Sequence, residues 1–116
     1  MPRKTKSTTL LSDAALGSLQ GLGARLKEAR LRRNWTQVLA AEKAGLSESS
    51  VKKVEAGATN ITVAAYLALL DIYGMPAALD HVLAPGQDTL GESLSRSESR
   101  QRARSPQAQR DDEWAF

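Results

Sequence analysis

The 116-residue sequence predicts an all-α fold, a compact bundle of about five short helices. Three observations carry that prediction. Apolar residues recur at three- and four-residue spacing through much of the first 84 residues. Ser or Thr precedes these stripes, and Gly or Asn follows them. Aromatics supply only 4% of a chain that is 41% hydrophobic, so the core must be built from Leu, Ala, Val and Ile, which suits packed helices. This length gives one domain with a small core, in which oligomerisation is a plausible extra source of stability.

Taken in order, residues 1–14 read as a basic, disordered arm. Ser12 and Asp13 form a fair N-cap and first turn. Leu16, Leu19, Leu22 and Leu26 continue as a helical stripe, with Ala29 after them. Gly17, Gly21 and Gly23 weaken its early part, so the firm helix is expected from near Leu19 to about Arg33. Thr36 then caps a helix over Gln37 to Ala44, and Gly45 ends it. Ser47 caps a helix from Glu48 to about Ala56, stopped by Gly57. Thr62 caps Val63 to Tyr73, a segment apolar on most sides and so expected to be buried on more than one face. Pro76 opens a short helix carrying Leu79, Val82 and Leu83. The folded domain is expected over residues 15–84. Residues 85–116 are a Ser/Arg-rich tail, expected to be disordered, ending in the acidic-aromatic segment DDEWAF.

Charge and residue inventory narrow the function. The net charge is +3, and residues 1–35 hold eight Lys/Arg against two acids, whereas residues 85–116 hold five Arg against six acids. The basic N-terminal part suits phosphates. With no cysteine there is no disulfide framework and no Cys-based zinc site. No apolar run reaches the roughly 18–20 residues of a membrane span. The expected setting is therefore the cytoplasm. The single His, His81, has no clustered carboxylate near it, and the GlnGlyLeuGly at 20–23 follows no strand and is too poor in Gly for a phosphate loop. The chain is not expected to be an enzyme, and no metal or cofactor is implied.

The stretch from Thr36 to Gly57 is more specific. Gly45 and Leu46 suit a tight turn between two helices. Val51 and Val54 give the second helix a buried side, and Ser49, Ser50, Lys52 and Lys53 give it a polar one. That is the logic of a helix-turn-helix, whose first helix braces the second while the second enters the major groove. Leu26, Arg30, Trp35-Thr36-Gln37, the run Ala41 to Ser47, and Val51-Lys52-Lys53-Val54-Glu55 with Gly57 closely resemble the Cro/C1 (Xre-type) helix-turn-helix family. The likeness covers roughly Leu19 to Gly74.

The resemblance implies double-stranded DNA, in a palindromic operator, as the partner of a homodimer. It places Thr36 and Gln37 at a phosphate and Ser47, Glu48, Ser49 and Lys53 at base edges, with Ser50 and Lys52 nearby. Thr59 and Asn60 are implied on the DNA backbone, and Arg30 with Glu55 in a structural ion pair. Two departures stand out. Val38-Leu39 replaces the usual acidic pair, and Ala40 replaces a usual Leu, so a shifted bracing helix is one expectation and a partner for Val38 and Leu39 another. Glu48 would repel phosphates unless it accepts a hydrogen bond from cytosine. Within the family, the Asp112-Glu113-Trp114 ending is similar to HipB-type antitoxins. It implies a HipA-type serine/threonine kinase toxin as a partner for Trp114 and Phe116. A free-standing phage or metabolic repressor and a protein-binding helical adaptor are the alternatives.

Overall fold

A computed structural model describes residues 10–103. The basic arm at 1–9, and Trp114 and Phe116 at the far end, lie outside them. The described residues form α1 (Asp13–Arg32), α2 (Gln37–Ala44), α3 (Glu48–Glu55), α4 (Val63–Ile72), a 3-10 turn (Ala78–His81) and α5 (Thr89–Ala103). No strand occurs among them.

The first four helices start alike and stop alike. Each N-cap hydroxyl accepts from the backbone N–H three residues on: Ser12 from Ala15 at 3.1 Å, Thr36 from Leu39 at 3.1 Å, Ser47 from Ser50 at 3.1 Å and Thr62 from Ala65 at 3.3 Å. Each satisfies one N–H that the helix itself leaves bare. At the other ends Asn34, Gly45, Gly57 and Gly74 all have positive φ. The next residue then donates back five positions, as Leu46 does to the Ala41 carbonyl at 2.9 Å and Ala58 to that of Lys53 at 2.9 Å. This closes each helix, and the chain reverses within four residues after α1 and three after α2.

The core consists of Leu26 from α1, Ala40 and Ala41 from α2, Val51 and Val54 from α3, Ala65, Tyr66, Leu69 and Leu70 from α4, and Tyr73 just after it. α3 lies in the middle, packed on α1, α2 and α4. Ala40 and Ala41 both bury fully or nearly so, which shows what the replaced Leu does: α2 approaches its neighbours through two methyl groups. Val38 and Leu39 are left outside, 48% and 36% exposed. The Tyr66 hydroxyl donates to the Ala58 carbonyl at 3.0 Å and pins the loop that follows α3. Burial raises the pKa of that phenol.

Three expectations are corrected. α1 begins at Asp13, six residues before Leu19, because the Ser12 cap holds and the glycines are not only a weakness. A methyl on Gly23 would overlap the Val54 carbonyl oxygen and lie 2.8 Å from the Glu55 carbonyl oxygen. Gly23 is where α1 comes closest to the end of α3. Second, the helix expected after Pro76 is only the four-residue 3-10 turn. Leu79, Val82 and Leu83 are exposed, and the compact unit containing the core ends at Ala78. Third, part of the stretch expected to lack order forms α5. Its start is local: the Asp88 carboxylate accepts from the Gly91 N–H at 3.0 Å, and Arg102 pairs with Glu98 one turn away at 3.8 Å. The composition argument survives in that α5 buries no residue.

The glycines of α1 separate by substitution. Gly17 has open space around its missing methyl, so Gly17→Ala should stabilise by about 0.5–1 kcal/mol through helix propensity alone. Gly23→Ala should destabilise by about 1–3 kcal/mol through overpacking, despite the same propensity gain. Urea unfolding midpoints of the two variants should move in opposite directions.

Candidate nucleic-acid interface

α3 divides cleanly into two faces. Val51 and Val54 are completely buried. On the opposite side Ser49, Lys52 and Lys53 are exposed, and Ala56 continues their stripe at helical spacing. Ala56 was not singled out from the sequence, although it lies seven residues after Ser49 and three after Lys53.

The inner end of α3 is fixed by charge. Arg30, at the end of α1, donates Nε to Glu55 Oε2 at 2.7 Å and Nη2 to Glu55 Oε1 at 3.0 Å. The two side chains are only 8% and 4% exposed. Such a two-pronged pair is geometrically specific as well as strong. Arg30 Nη1 also donates to the Trp35 carbonyl at 2.9 Å, which ties in the link between α1 and α2. The hydrogen bond to Glu55 raises the Arg30 pKa, against the lowering effect of burial.

Gln37 joins the same carboxylate. Its side-chain amide donates to Glu55 Oε1 at 3.0 Å. The sequence expectation had this amide facing a phosphate; here one of its N–H groups is already committed to Glu55. What α2 still offers an anion is its first turn. The backbone N–H groups of Gln37 and Val38 precede the first helical acceptor, while that of Leu39 is taken by Thr36.

The polar residues of α3 are not equivalent either. Ser47 donates its hydroxyl to Ser50 Oγ at 2.9 Å while capping the Ser50 N–H, and Ser50 is half-buried. These two hydroxyls hold the helix start more than they face outward. Glu48 pairs with Lys52 at 3.5 Å, one turn apart and exposed on both sides. Such a pair contributes little stability, up to about 1 kcal/mol. It does answer the charge problem of Glu48, since the acid comes with its own cation. The side chains of Ser49 and Lys53, four residues apart, have no hydrogen bond or ion pair among the described residues. Thr59 is half-buried and Asn60 exposed in the loop that follows the left-handed Gly57.

One cluster was missed in the sequence. Trp35 stacks on Tyr73 with ring centroids 5.9 Å apart. Lys43 Nζ lies 4.7 Å from the Trp35 ring and the Arg33 guanidinium 5.0 Å from that of Tyr73. Arg33 also donates to the Tyr73 carbonyl at 3.2 Å. This clamp sets the angle at which the chain enters α2. Burial first, then the Glu55 charge, raises the pKa of Tyr73, whose hydroxyl is buried without a partner. Its signal was the spacing of two aromatics 38 residues apart, which no local pattern reveals.

A family model described as a helix-turn-helix domain matches residues 21–82, more than half of the chain. The chain belongs to that family. The second, third and fourth helices and the 3-10 turn fall wholly within the matched span, as does α1 from Gly21 onward. None of the curated proteins compared with the chain matches it. The family supports DNA binding in gene regulation. Among the described residues there is no cluster of three His, Asp or Glu side chains able to hold a metal, and no helix long and apolar enough to cross a membrane.

Removing one side of the buried pair should be costly. Arg30→Met leaves the Glu55 carboxylate buried with Gln37 alone and should destabilise by about 3–5 kcal/mol. Lys53→Ala, on the exposed face, should change stability by less than about 0.5 kcal/mol. Chemical denaturation of both variants checks the contrast.

Proposed function

We propose that the protein is a sequence-specific transcriptional repressor that binds operator DNA as a homodimer. The observation that carries this is the division of α3: one end is locked by Arg30 and Glu55 while Ser49 and Lys53 are left uncommitted on the outer face. In this reading α3 lies in the major groove with Ser49 and Lys53 at base edges, Lys53 reaching guanine O6 or N7. Ser47, Glu48, Ser50 and Lys52 flank them. Thr36 and Gln37 present the start of α2 to a phosphate, and Thr59 and Asn60 approach the backbone beyond α3. A two-fold dimer would read half-sites about 34–36 Å apart.

A second role rests on the sequence ending. Asp112-Glu113-Trp114 supports capture of a HipA-type serine/threonine kinase, with Trp114 and Phe116 as anchors, which would make the repressor an antitoxin of its own operon. An aromatic anchor beside acidic residues is a familiar docking device. Finding a kinase-like reading frame beside the gene would favour this role over a free-standing repressor.

Lys53→Ala should weaken operator binding by about 1–3 kcal/mol and relax the preference at one base position. Log affinity of the parent should fall steeply and linearly with log salt. A flat salt dependence measured by fluorescence anisotropy would count against the repressor reading as a whole.

Deleting residues 111–116 should leave operator affinity within about twofold and reduce retention of the neighbouring kinase in a pull-down. Equal retention with and without these residues would remove the antitoxin role and leave the repressor.

A further inference from the structure

We propose that the outward face of α4 is the two-fold interface of the homodimer. The α4 helices of two copies would run antiparallel, the Asp71 of each against the first turn of the other. This rests on the homodimer in the reading above and gives it a place and a register.

α4 is apolar on both sides. Ala65, Tyr66, Leu69 and Leu70 face the core. On the opposite side Ala64, Leu67, Ala68 and Asp71, with Pro76, line a shallow apolar groove of about 280 Å³. Val63 and Met75 extend it at the ends, 66% and 56% exposed. A helix hydrophobic all round belongs inside an assembly, not at a water surface.

Charge selects the occupant. α4 has no acid in its first turn and no base in its last. Its one charged residue, Asp71, sits near the C-terminal end, where the helix dipole disfavours an anion. At the other end Thr62 caps only the Ala65 N–H, so those of Val63 and Ala64 lack a helical acceptor. One chain alone has its charge at the wrong end. An antiparallel second copy corrects this twice. A two-fold axis passing between Leu67 and Ala68 sets residue 71 of one chain opposite residue 64 of the other. Each carboxylate then meets the bare N–H groups and the positive end of its partner's helix. Ala64 and Ala68 let the helix axes come close, near the lower end of the usual 8–10 Å.

One ten-residue helix face is less than the roughly 800 Å² per partner of a stable interface. The free dimer is therefore weak and becomes the dominant form when two half-sites hold both copies.

Two exposed substitutions test the register. Ala64→Glu sets two acids opposite each other at both ends of the interface, and Asp71→Lys sets a cation against each helix N-terminus. Sedimentation equilibrium without DNA, from about 10 μM to about 1 mM, should show the parent rising from its 12.5 kDa monomer mass towards twice that value. Each variant alone should raise the dimer dissociation constant about tenfold or more, with unchanged circular dichroism. An equimolar mixture of the two variants should recover association, because the introduced lysine of one chain meets the introduced glutamate of the other while the second end stays as in the parent. Variants that associate like the parent, or a mixture no better than its components, would overturn the α4 face and leave the homodimer standing. A parent that stays at monomer mass throughout, and binds its operator as one copy, would overturn the homodimer too. Operator binding itself is scored separately by anisotropy.

Discussion

The arrangement depends on the carboxylate of Glu55. It sits at the end of α3 and accepts from Arg30 of α1 and Gln37 of α2, so one buried anion fixes three helices in relation to each other. Burying a charge is expensive, and Arg30 repays this only because both carboxylate oxygens are engaged and its third nitrogen group finds the Trp35 carbonyl. An apolar substitute of the same shape would hold the helices together about as well, but it would not fix their register to the direction of a hydrogen bond. That is the property a reading helix needs. In the proposed reading, an error of an ångström at Lys53 is the difference between a base edge and solvent.

The same economy explains the small core. Val51 and Val54 hold α3 from below, and the methyl groups of Ala40 and Ala41 bring α2 close enough for Gln37 to reach Glu55. Gly23 does the corresponding work on the α1 side, where any side chain would collide with the last carbonyls of α3. Small residues are thus placed where helices must approach the reading helix, and the larger ones, Leu69, Leu70 and Tyr66, fill the space beneath. Fold and recognition share α3 without competing for the same residues. Its inward positions are apolar or locked in the ion pair, and on its outward face the Ser49 and Lys53 side chains carry no bond among the described residues.

How legible this was in the sequence follows from the range of each interaction. Helix starts and stops are local. Ser12, Thr36, Ser47 and Thr62 announce themselves within four residues, and Gly45 and Gly57 mark reversals that only a residue tolerant of positive φ makes easily. The bracing and reading helices were therefore visible with nearly their true ends. The close approach at Gly23 was not, because a glycine inside a helix looks the same whether it weakens the helix or makes room for a neighbour. The commitment of Gln37 to Glu55 was hidden for the same reason: the two residues are 18 apart, and their meeting depends on how α2 packs. The Trp35–Tyr73 stack joins residues farther apart still. α5 erred in the other direction. Composition judged correctly that nothing there is buried, but a capped helix with an ion pair on its surface needs no core to form.

These ranges also bear on recognition. The affinity of a helix-turn-helix for DNA comes largely from phosphates, and its selectivity from a few base-edge contacts. Here the outward face of α3 contributes little net charge, because Lys52 is shared with Glu48 and only Lys53 stands alone. In the proposed reading, a face so nearly neutral discriminates between sequences without holding non-specific DNA tightly. In that reading, attraction to the backbone comes from elsewhere: the bare N–H groups at the start of α2, and the cations Arg25 and Lys27 on the outer surface of α1. Dividing attraction and discrimination between helices makes each separately adjustable. It works only while α2 and α3 keep a fixed angle, and it is the Glu55 carboxylate that keeps it.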